Sequence, residues 1–297
     1  MYLYPFTYCA PTTVDEALAL LQAHPDGKIL AGGQSLIPLM GLGLARPSAL
    51  IDVNNLPGLE GVVEDGGSLR IGALVRHRTL ETDPAVRRRC PILAEAASVI
   101  GNIRVRHRGT IGGSLAHADP AAELPLVATA MGATLEIRGP RVSREIGAEK
   151  FFLGYLQTDL APVEMVTGIR VPVVNAGTGC GLAQLVRRAG DFAIVSACAL
   201  VSLDDAGRCT HAALALGGVG SHPVRIHGAE ALLVGRALTD RCIEDAARVV
   251  SGELDPESDV HASAAYRRAM ARVMARRALA AAAARAAAST AHEEERG

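Results

Sequence analysis

Two short segments, each with a pair of glycines and a nearby serine, constrain this chain more than any other feature. The first, Ala31–Ser35 (AGGQS), follows a short apolar run and precedes a candidate helix. The second, Thr110–Ser114 (TIGGS), begins 79 residues further on and follows a basic run. Backbone N–H groups converge on an anion only where the chain turns tightly, which residues without a Cβ allow, and a serine hydroxyl adds a donor. The two segments therefore predict two phosphate-binding loops, one for each phosphate of a pyrophosphate.

The usual nucleotide-binding motifs are absent from the sequence. No G-x-G-x-x-G follows a strand with an acidic residue about 20 positions later, and the nearest approach, Gly41-Leu42-Gly43, lacks the third glycine. No G-x-x-x-x-G-K-S/T occurs either, which argues against an NTPase. A pyrophosphate site that fits neither motif leaves flavin adenine dinucleotide (FAD), bound in another fold, as the leading interpretation.

The composition narrows the classes of partner. The chain has 30 Lys+Arg against 31 Asp+Glu, so it has no excess of positive charge with which to neutralise a nucleic acid backbone. Its 49% of hydrophobic residues excludes a disordered chain. Aromatic residues make up only 3% and Trp is absent, so we expect a flat ring to be held mainly by backbone, aliphatic and hydrogen-bonding groups.

Neither a membrane span nor a secretion signal is evident in the sequence. It contains no uncharged apolar run of about 18 residues, and Met1–Pro5 has neither the basic nor the apolar region of a signal peptide. The six cysteines are scattered without a C-x-x-C, which favours free thiols over a zinc or iron–sulfur site. We therefore expect a cytoplasmic protein without a metal site of its own.

Hydrophobic periodicity predicts an α+β fold in two parts. Helices and strands alternate up to residue 175, with the last strand of this part at Glu164–Val171. Asn175–Gly179 has the composition of a linker. The periodicity then predicts strands at 182–187, 193–203 and 212–217, followed by helices at 226–233, 239–251 and 262–288. The acidic end, residues 289–297, is predicted to be a disordered tail.

Three stretches of the sequence resemble a known family. They are Ala31–Pro38 (AGGQSLIP), Arg104–Pro125 (RVRHRGTIGGSLAHADPAAELP) and Arg187–Ala193 (RRAGDFA). All three are similar to the FAD-binding medium subunit of the molybdenum hydroxylases, the family of xanthine dehydrogenase and carbon monoxide dehydrogenase. The match runs nearly end to end, and the block TIGGSLAHADP is highly specific.

The resemblance implies a fold for each part of the chain. Residues 1–175 would form an FAD-binding domain of the type shared by vanillyl alcohol oxidase and para-cresol methylhydroxylase, with subdomains at about 1–57 and 58–175. Residues 176–288 would form the C-terminal domain of a carbon monoxide dehydrogenase flavoprotein, with a three-stranded sheet and a helical bundle.

The resemblance also implies a non-covalent FAD and the residues around it. The two glycine segments would hold the pyrophosphate, Glu123 and Leu160 would lie on the flavin side, and Ile100 and Gly101 near the ring or the adenine. The residues expected to bind the cofactor are Ile29, Leu30, Ala31, Gly32, Gly33, Gln34, Ser35, Leu36, Ile100, Gly101, Thr110, Ile111, Gly112, Gly113, Ser114, Glu123 and Leu160. No catalytic residue and no metal ligand is expected in this chain.

The function that the resemblance implies is electron transfer. A large subunit with a molybdopterin cofactor would oxidise the substrate, a small subunit would carry electrons across two 2Fe–2S clusters, and FAD here would pass them to an external acceptor. The expected assembly is a dimer of heterotrimers. A self-sufficient flavin oxidase and a flavin-free structural subunit remain as alternatives.

The basic segment departs from the family pattern, since relatives have Q-I-R-N-R-G where this chain has R-V-R-H-R-G. Its three arginines, Arg104, Arg106 and Arg108, are predicted to alternate along a strand. We expect them to meet acidic partners or a cofactor phosphate rather than RNA. His107 is not expected to anchor a flavin covalently.

Other polar residues near the motifs have structural or functional interpretations. His117 and Asp119 are predicted to order the loop after the second glycine pair rather than to bind a metal. Arg187, Arg188 and Asp191 are expected to form either an internal ion pair or a contact near the flavin. Ala183 or Gln184 stands where some relatives carry a lysine, and no contact is assigned there.

Overall fold

The computed structural model describes residues 3–294, with side chains as far as Ser289. Its strands are β1 (Thr7–Cys9), β2 (Lys28–Leu30), β3 (Ala49–Asp52), β4 (Val62–Asp65), β5 (Ser68–Gly72), β6 (Thr134–Arg138), β7 (Ser143–Gly147), β8 (Phe152–Gly154), β9 (Gln157–Thr158), β10 (Met165–Pro172), β11 (Thr178–Leu185), β12 (Val195–Leu203), β13 (Cys209–Gly217) and β14 (Val224–Arg225). Its helices are α1 (Val14–Ala23), α2 (Leu36–Gly41), α3 (His77–Thr82), α4 (Pro84–Arg89), α5 (Pro91–Val99), α6 (Ile103–Arg108), α7 (Ile111–His117), α8 (Glu123–Ala130), α9 (Ala148–Phe151), α10 (His227–Leu233), α11 (Asp240–Val250) and α12 (Ala264–Glu294). The predicted mixture of helices and strands is confirmed.

The first three strands form a small parallel sheet in the order β1-β3-β2. Helix α1 packs beside it with Leu18 and Leu21 buried in the same core. The helix begins at a reciprocal cap, because the Thr13 hydroxyl accepts from the Glu16 N–H (3.1 Å) and the Glu16 carboxylate accepts from the Thr12 N–H (2.8 Å). The carboxyl end of β2 leads directly into the first glycine segment.

A larger sheet has the strand order β4-β5-β10-β6-β7 and is antiparallel where its strands pair. Alternate residues such as Leu69, Ile71 and Leu135 are fully buried on one face, as the two-residue period of a strand requires. Residues of α5, α7 and α8 complete this core. The second glycine segment belongs to α7, so this core sets its position.

The C-terminal sheet is antiparallel, in the order β11-β12-β13-β14. Three long strands and three helices lie close to their predicted positions. The fourth strand, β14, was not predicted, because two residues are too short to show a period. Helix α12 continues to Glu294, so residues 289–294 of the predicted tail are helical, whereas 295–297 lie outside the described residues. None of the described helices combines the length and apolar character that crossing a membrane requires.

Helix α12 packs on β11 through small residues. A Cβ on Gly179 would lie 1.9 Å from the Ala282 carbonyl oxygen, and one on Gly181 would lie 2.1 Å from the Ala278 carbonyl oxygen. Two residues along a strand span about 6.7 Å and four along a helix about 6 Å, so the two backbones run side by side. Strand β11 therefore begins at Thr178, inside the predicted linker, because its glycines serve packing rather than a turn.

Residues Ile103–Arg108 form helix α6, not the strand predicted for the three arginines. The Asn102 Oδ1 accepts from the Arg104 N–H (2.9 Å) and caps the helix. A local cap of this kind favours a helix even where the side chains alternate in polarity. Within the chain Arg106 meets an acidic partner, Glu81, at 3.0 Å.

Gly179→Ala is expected to destabilise the protein by about 3 kcal/mol, because a clash with backbone cannot be relieved by a rotamer change. Denaturant unfolding of the purified chain measures the loss. The matched control is Gly61→Ala, whose Cβ would meet no atom within 4 Å and which should unfold like the wild type. A Gly179→Ala variant as stable as this control would contradict the close packing of α12 on β11.

Candidate functional site

The first glycine segment presents free donors at the end of β2. In the described part of the chain, none of the backbone N–H groups from Gly32 to Leu36 donates to a protein acceptor. Gly33 has a φ of +69°, in the left-handed region that glycine enters without steric cost. A turn of this kind aims successive N–H groups into one concave site, which suits an anion. We call Gly32–Leu36 the cradle.

The chain that leads into the second glycine segment approaches the first segment at Gly32. A Cβ on this residue would lie 2.4 Å from the Arg108 carbonyl oxygen and 2.8 Å from the Gly109 Cα, so only glycine fits. The residues that lead directly into the second segment therefore lie against the cradle.

The second segment is not the loop that the sequence predicts. Gly112, Gly113 and Ser114 lie in the first turn of α7, which Thr110 caps. The Thr110 hydroxyl accepts from the Gly113 N–H (3.1 Å), and the Thr110 carbonyl accepts from the Ser114 N–H (3.0 Å). These two donors are thus engaged within the chain.

The other two donors of this turn bind the segment that follows β5. The Ile111 N–H donates to the Val75 carbonyl (3.0 Å) and the Gly112 N–H to the Ala73 carbonyl (2.9 Å). A Cβ on Gly112 would lie 2.6 Å from the Ala73 Cβ, so this glycine serves packing. What remains is the half-buried Ser114 hydroxyl, which donates to no acceptor within the described residues.

His77 lies beneath the junction of the two segments and is only 6% exposed. Its Nε2 is 3.0 Å from the Thr110 carbonyl oxygen, and its Nδ1 has no partner in the described part of the chain. Burial lowers the pKa of His77 to about 4, so the ring is neutral at pH 7 and its Nε2–H donates to Thr110. A lone histidine at the start of a short helix gives no sequence signal of this contact.

Glu123 is buried at the start of α8, where the first part of the chain meets the C-terminal sheet. Its Oε1 accepts from the Gln184 Nε2 on β11 (3.2 Å), and burial raises the pKa of its carboxyl. Ser196, beside Gln184 in the sheet register, has a buried hydroxyl without a partner in the described region. The sequence left Gln184 unassigned, although a polar residue in an apolar strand is a signal.

Ile100 and Gly101 lie in the short connection between the end of α5 and the start of α6. Gly101 has a φ of +47°, and the Arg106 Nη1 donates to the Ile100 carbonyl (3.0 Å). Gly190, from the loop before β12, packs against them, since a Cβ there would lie 2.7 Å from the Gly101 carbonyl oxygen. This contact places the RRAGDFA motif beside the end of α5.

The residues predicted to bind the cofactor fall into three groups. Ile29–Leu36 lies against Arg108 and Gly109, which directly precede Thr110–Ser114, and α6 links this point to Ile100–Gly101. Glu123 lies at the C-terminal sheet, and Leu160 is half-buried after β9 against the core of the larger sheet. In the described part of the chain, no hydrogen bond links Glu123 or Leu160 to the cradle.

The remaining polar candidates have structural contacts. The Asp119 Oδ1 accepts a backbone N–H two residues further on (2.9 Å) and so orders its loop. No ion pair joins Arg187 or Arg188 to Asp191 among the described residues, and the Arg187 Nη1 lies 3.4 Å from the His261 Nδ1. Across the same residues, no group of three His, Cys, Asp or Glu could hold a metal ion.

Comparison with known families decides the identity. Residues 4–174 match the FAD binding domain in molybdopterin dehydrogenase, and residues 182–282 match the CO dehydrogenase flavoprotein C-terminal domain. The chain belongs to the FAD-binding medium subunits of the molybdenum hydroxylase family. The resemblance found in the three sequence stretches is thereby confirmed, and the protein is an oxidoreductase subunit of this family.

Relatives of this medium subunit match over most of their length. The chain is 41% identical over 275 residues to the carbon monoxide dehydrogenase medium chain of Hydrogenophaga pseudoflava, covering 92% of this chain and 96% of that one. It is 40% identical over 275 residues to the 6-hydroxypseudooxynicotine dehydrogenase complex subunit alpha of Paenarthrobacter nicotinovorans, with coverages of 92% and 93%.

Solved structures agree with this assignment. A chain of the carbon monoxide dehydrogenase from Hydrogenophaga pseudoflava that lacks the Mo-pyranopterin moiety superposes with a TM-score of 0.93 at 41% identity, over 96% of this chain and 99% of that one. A chain of quinoline 2-oxidoreductase from Pseudomonas putida 86 gives 0.92 at 36% identity, with coverages of 96% and 99%.

His77 is expected to make the protein less stable in acid. Its pKa is about 4 in the folded chain against an ordinary value of 6.5, so the unfolded chain takes up the proton first. The stability from the neutral ring is complete above pH 6.5 and falls by about 3 kcal/mol as the pH drops towards 4. Denaturant unfolding measures the free energy of unfolding at pH 7 and at pH 4. Between these two values, His77→Gln should lose about 3 kcal/mol less than the wild type.

The control for this prediction is His211→Gln, which replaces an exposed histidine and should keep the wild-type pH dependence. If His77→Gln lost as much stability on acidification as the wild type, the ring would not be buried in its neutral form.

Proposed function

We propose that this medium subunit is the electron-transfer subunit of a molybdenum hydroxylase complex and holds FAD without a covalent bond. Electrons would arrive from the 2Fe–2S clusters of a small partner subunit and leave to an external acceptor, while a large subunit with a molybdopterin cofactor oxidises the substrate. The cradle carries the proposal, because five consecutive N–H groups without acceptors in the described chain lie within the part that matches an FAD-binding family.

The residues of the cradle fit a pyrophosphate. Its N–H groups supply donors without a charge, and the Ser35 and Ser114 hydroxyls, which bind no described residue, can add two more. Arg108 adds positive charge, since its exposed guanidinium makes no ion pair in the described chain. FAD bound here would supply the redox chemistry, whereas the protein binds and orients it.

Other predicted residues are proposed to contact the rest of the cofactor. Glu123 suits the flavin side, because a carboxyl whose pKa is raised by burial keeps its proton more readily and can donate a hydrogen bond. Leu160, Ile100 and Gly101 would contact the ring or the adenine through aliphatic and backbone groups, in keeping with a chain of only 3% aromatic residues.

The proposed partners are a large molybdenum-cofactor subunit and a small 2Fe–2S subunit, assembled as a dimer of heterotrimers. The names of the relatives support this, since they are a medium chain and a complex subunit alpha. Three large apolar side chains lie within two residues of the contact between Gly101 and Gly190. They are Val99, Ile103 and Phe192, which are 39%, 45% and 57% exposed, and they suit an interface.

The protein is also proposed to be cytoplasmic. Its six free thiols support this location.

Purification of the chain, alone and with the proteins that co-elute, tests the proposal. We expect the isolated chain to take up FAD and to show the yellow absorbance of oxidised flavin, with molybdenum and iron only in the partners. A colourless protein after addition of FAD would contradict the proposal and favour a structural subunit. Substrate oxidation by the isolated chain would indicate a self-sufficient oxidase instead.

Gly33→Ala is expected to weaken FAD binding about tenfold, because a Cβ in the left-handed region costs about 1–2 kcal/mol and the loop must relax away from its anion-binding shape. Titration of FAD-free protein with FAD measures the dissociation constant. Gly58→Ala is the matched control, since Gly58 has a φ of +79° with no atom within 4 Å of a Cβ. It introduces similar strain outside the cradle, so equal affinities in the two variants would count against the cradle as the binding site.

A further inference from the structure

Arg76 connects the end of α6, just before the second glycine segment, to Asn54, just after the small parallel sheet. Its Nη1 donates to the Arg108 carbonyl (2.6 Å) and its Nη2 donates to the Asn54 Oδ1 (2.7 Å). The residue is half-buried and directly precedes α3. A planar guanidinium can span two acceptors in fixed directions, which a lysine cannot do.

Asn54 extends this connection to the cradle. Its Nδ2 donates to the Ala31 carbonyl (2.8 Å). Asp52, at the end of β3, holds Asn54 in place by accepting from its backbone N–H (2.9 Å) and from its Nδ2 (2.6 Å). The Tyr8 hydroxyl in turn donates to Asp52 (2.7 Å). The Asn54 amide therefore has both of its donor hydrogens and its acceptor engaged.

The planarity of the peptide converts these carbonyl contacts into an orientation of the cradle donors. In a trans peptide, a carbonyl and the N–H of the next residue lie in one plane and point in opposite directions. Because Asn54 holds the Ala31 carbonyl, the Gly32 N–H points away from Asn54. Gln34 repeats the effect one residue later, since its Nε2 donates to the Gly32 carbonyl (2.9 Å) and so orients the Gly33 N–H.

We infer that Asn54 and Arg76 are positioning residues that pre-orient the cradle for a pyrophosphate. We call the connection from Ala31 through Asn54 and Arg76 to Arg108 the carbonyl clamp. The inference rests on the proposed FAD function and deepens it. Donors that already point at the binding site need no reorganisation when the ligand arrives, and this preorganisation increases affinity. Asn54 carries no charge, so its contribution cannot be attraction of the phosphates.

The test compares the FAD affinity of the wild-type chain with that of Asn54→Leu, Arg76→Met and the double variant, by titration of FAD-free protein. Leucine keeps the approximate size of Asn54 and removes its polar atoms. If the Asn54→Leu variant does not fold, the Asn54→Ser variant is used in its place. We expect each single substitution to raise Kd about tenfold. The double variant should also stay near tenfold, because both side chains act through one connection, whereas independent sites would multiply to about a hundredfold.

Two controls show whether a substitution changes the FAD affinity through the orientation of the cradle or through its charge. They are the salt concentration and a matched variant. The loss in Asn54→Leu should be the same at about 50 mM and about 500 mM NaCl, because the substitution removes no charge for salt to screen. Lys28→Met removes a positive charge at the start of β2, from an exposed side chain that makes no hydrogen bond to a described residue. This control should leave the FAD affinity within about twofold of the wild type, since a screened surface charge contributes little.

The outcomes distinguish the clamp from the proposed function. A wild-type chain that does not bind FAD overturns the proposed function itself. Wild-type binding with unchanged affinity in Asn54→Leu overturns the clamp alone, and so does a double variant that reaches a hundredfold. A loss that is confined to Arg76→Met and disappears at high salt overturns it too, because Arg76 would then act as a charge. A variant that lowers the unfolding midpoint of the FAD-free protein but keeps its Kd shows a structural role and overturns the positioning role.

Discussion

The proposed cofactor site depends on a single approach of backbone to backbone, that of Gly32 to the Arg108 carbonyl. A Cβ at Gly32 would lie 2.4 Å from that oxygen, so any other residue would push the two segments apart. The cradle would then lose its neighbour, and Arg76 could no longer reach Arg108 and Asn54 together. The contact contributes little attraction of its own. The two backbones can come this close only because Gly32 has no Cβ. The hydrogen bonds of Asn54 and Arg76 then hold them in this arrangement.

The two glycine pairs show how far a local pattern can be interpreted. Both predict anion-binding turns, yet only Gly32–Gly33 keeps its donors free of protein acceptors in the described chain. At Gly112–Gly113 the donors bind Thr110 and the segment after β5, and the Cβ that is missing from Gly112 makes room for Ala73. A glycine in such a motif indicates that another part of the chain, or a ligand, packs where a Cβ would otherwise lie. For Gly32 and Gly112 the neighbour is fixed by tertiary structure, since Arg108 and Ala73 lie 76 and 39 positions away along the chain.

Other outcomes follow the same distinction between local and distant causes. The long strands and helices were predictable because their periodicity is written in consecutive residues, and the family motifs predicted the type of site. The helix Ile103–Arg108 was not predictable from its side chains, which alternate in polarity as in a strand. The cap at Asn102 outweighs that alternation. Gln184 and His77 gained their roles from partners in other elements, Glu123 and Thr110. Sequence motifs therefore indicate the type of site more readily than the contacts that distant residues make around it.

The packing of α12 on β11 has a consequence for synthesis of the protein. The strand is the first element of its sheet, whereas the helix that covers it begins at Ala264, nearly 80 residues after Leu185. At typical rates of translation this interval lasts about 4 to 16 s. During that time the glycine face of β11 has no helix to cover it on the ribosome. The C-terminal domain can thus acquire its native packing only late in translation, and until then the nascent sheet is open to incorrect pairing or to a chaperone.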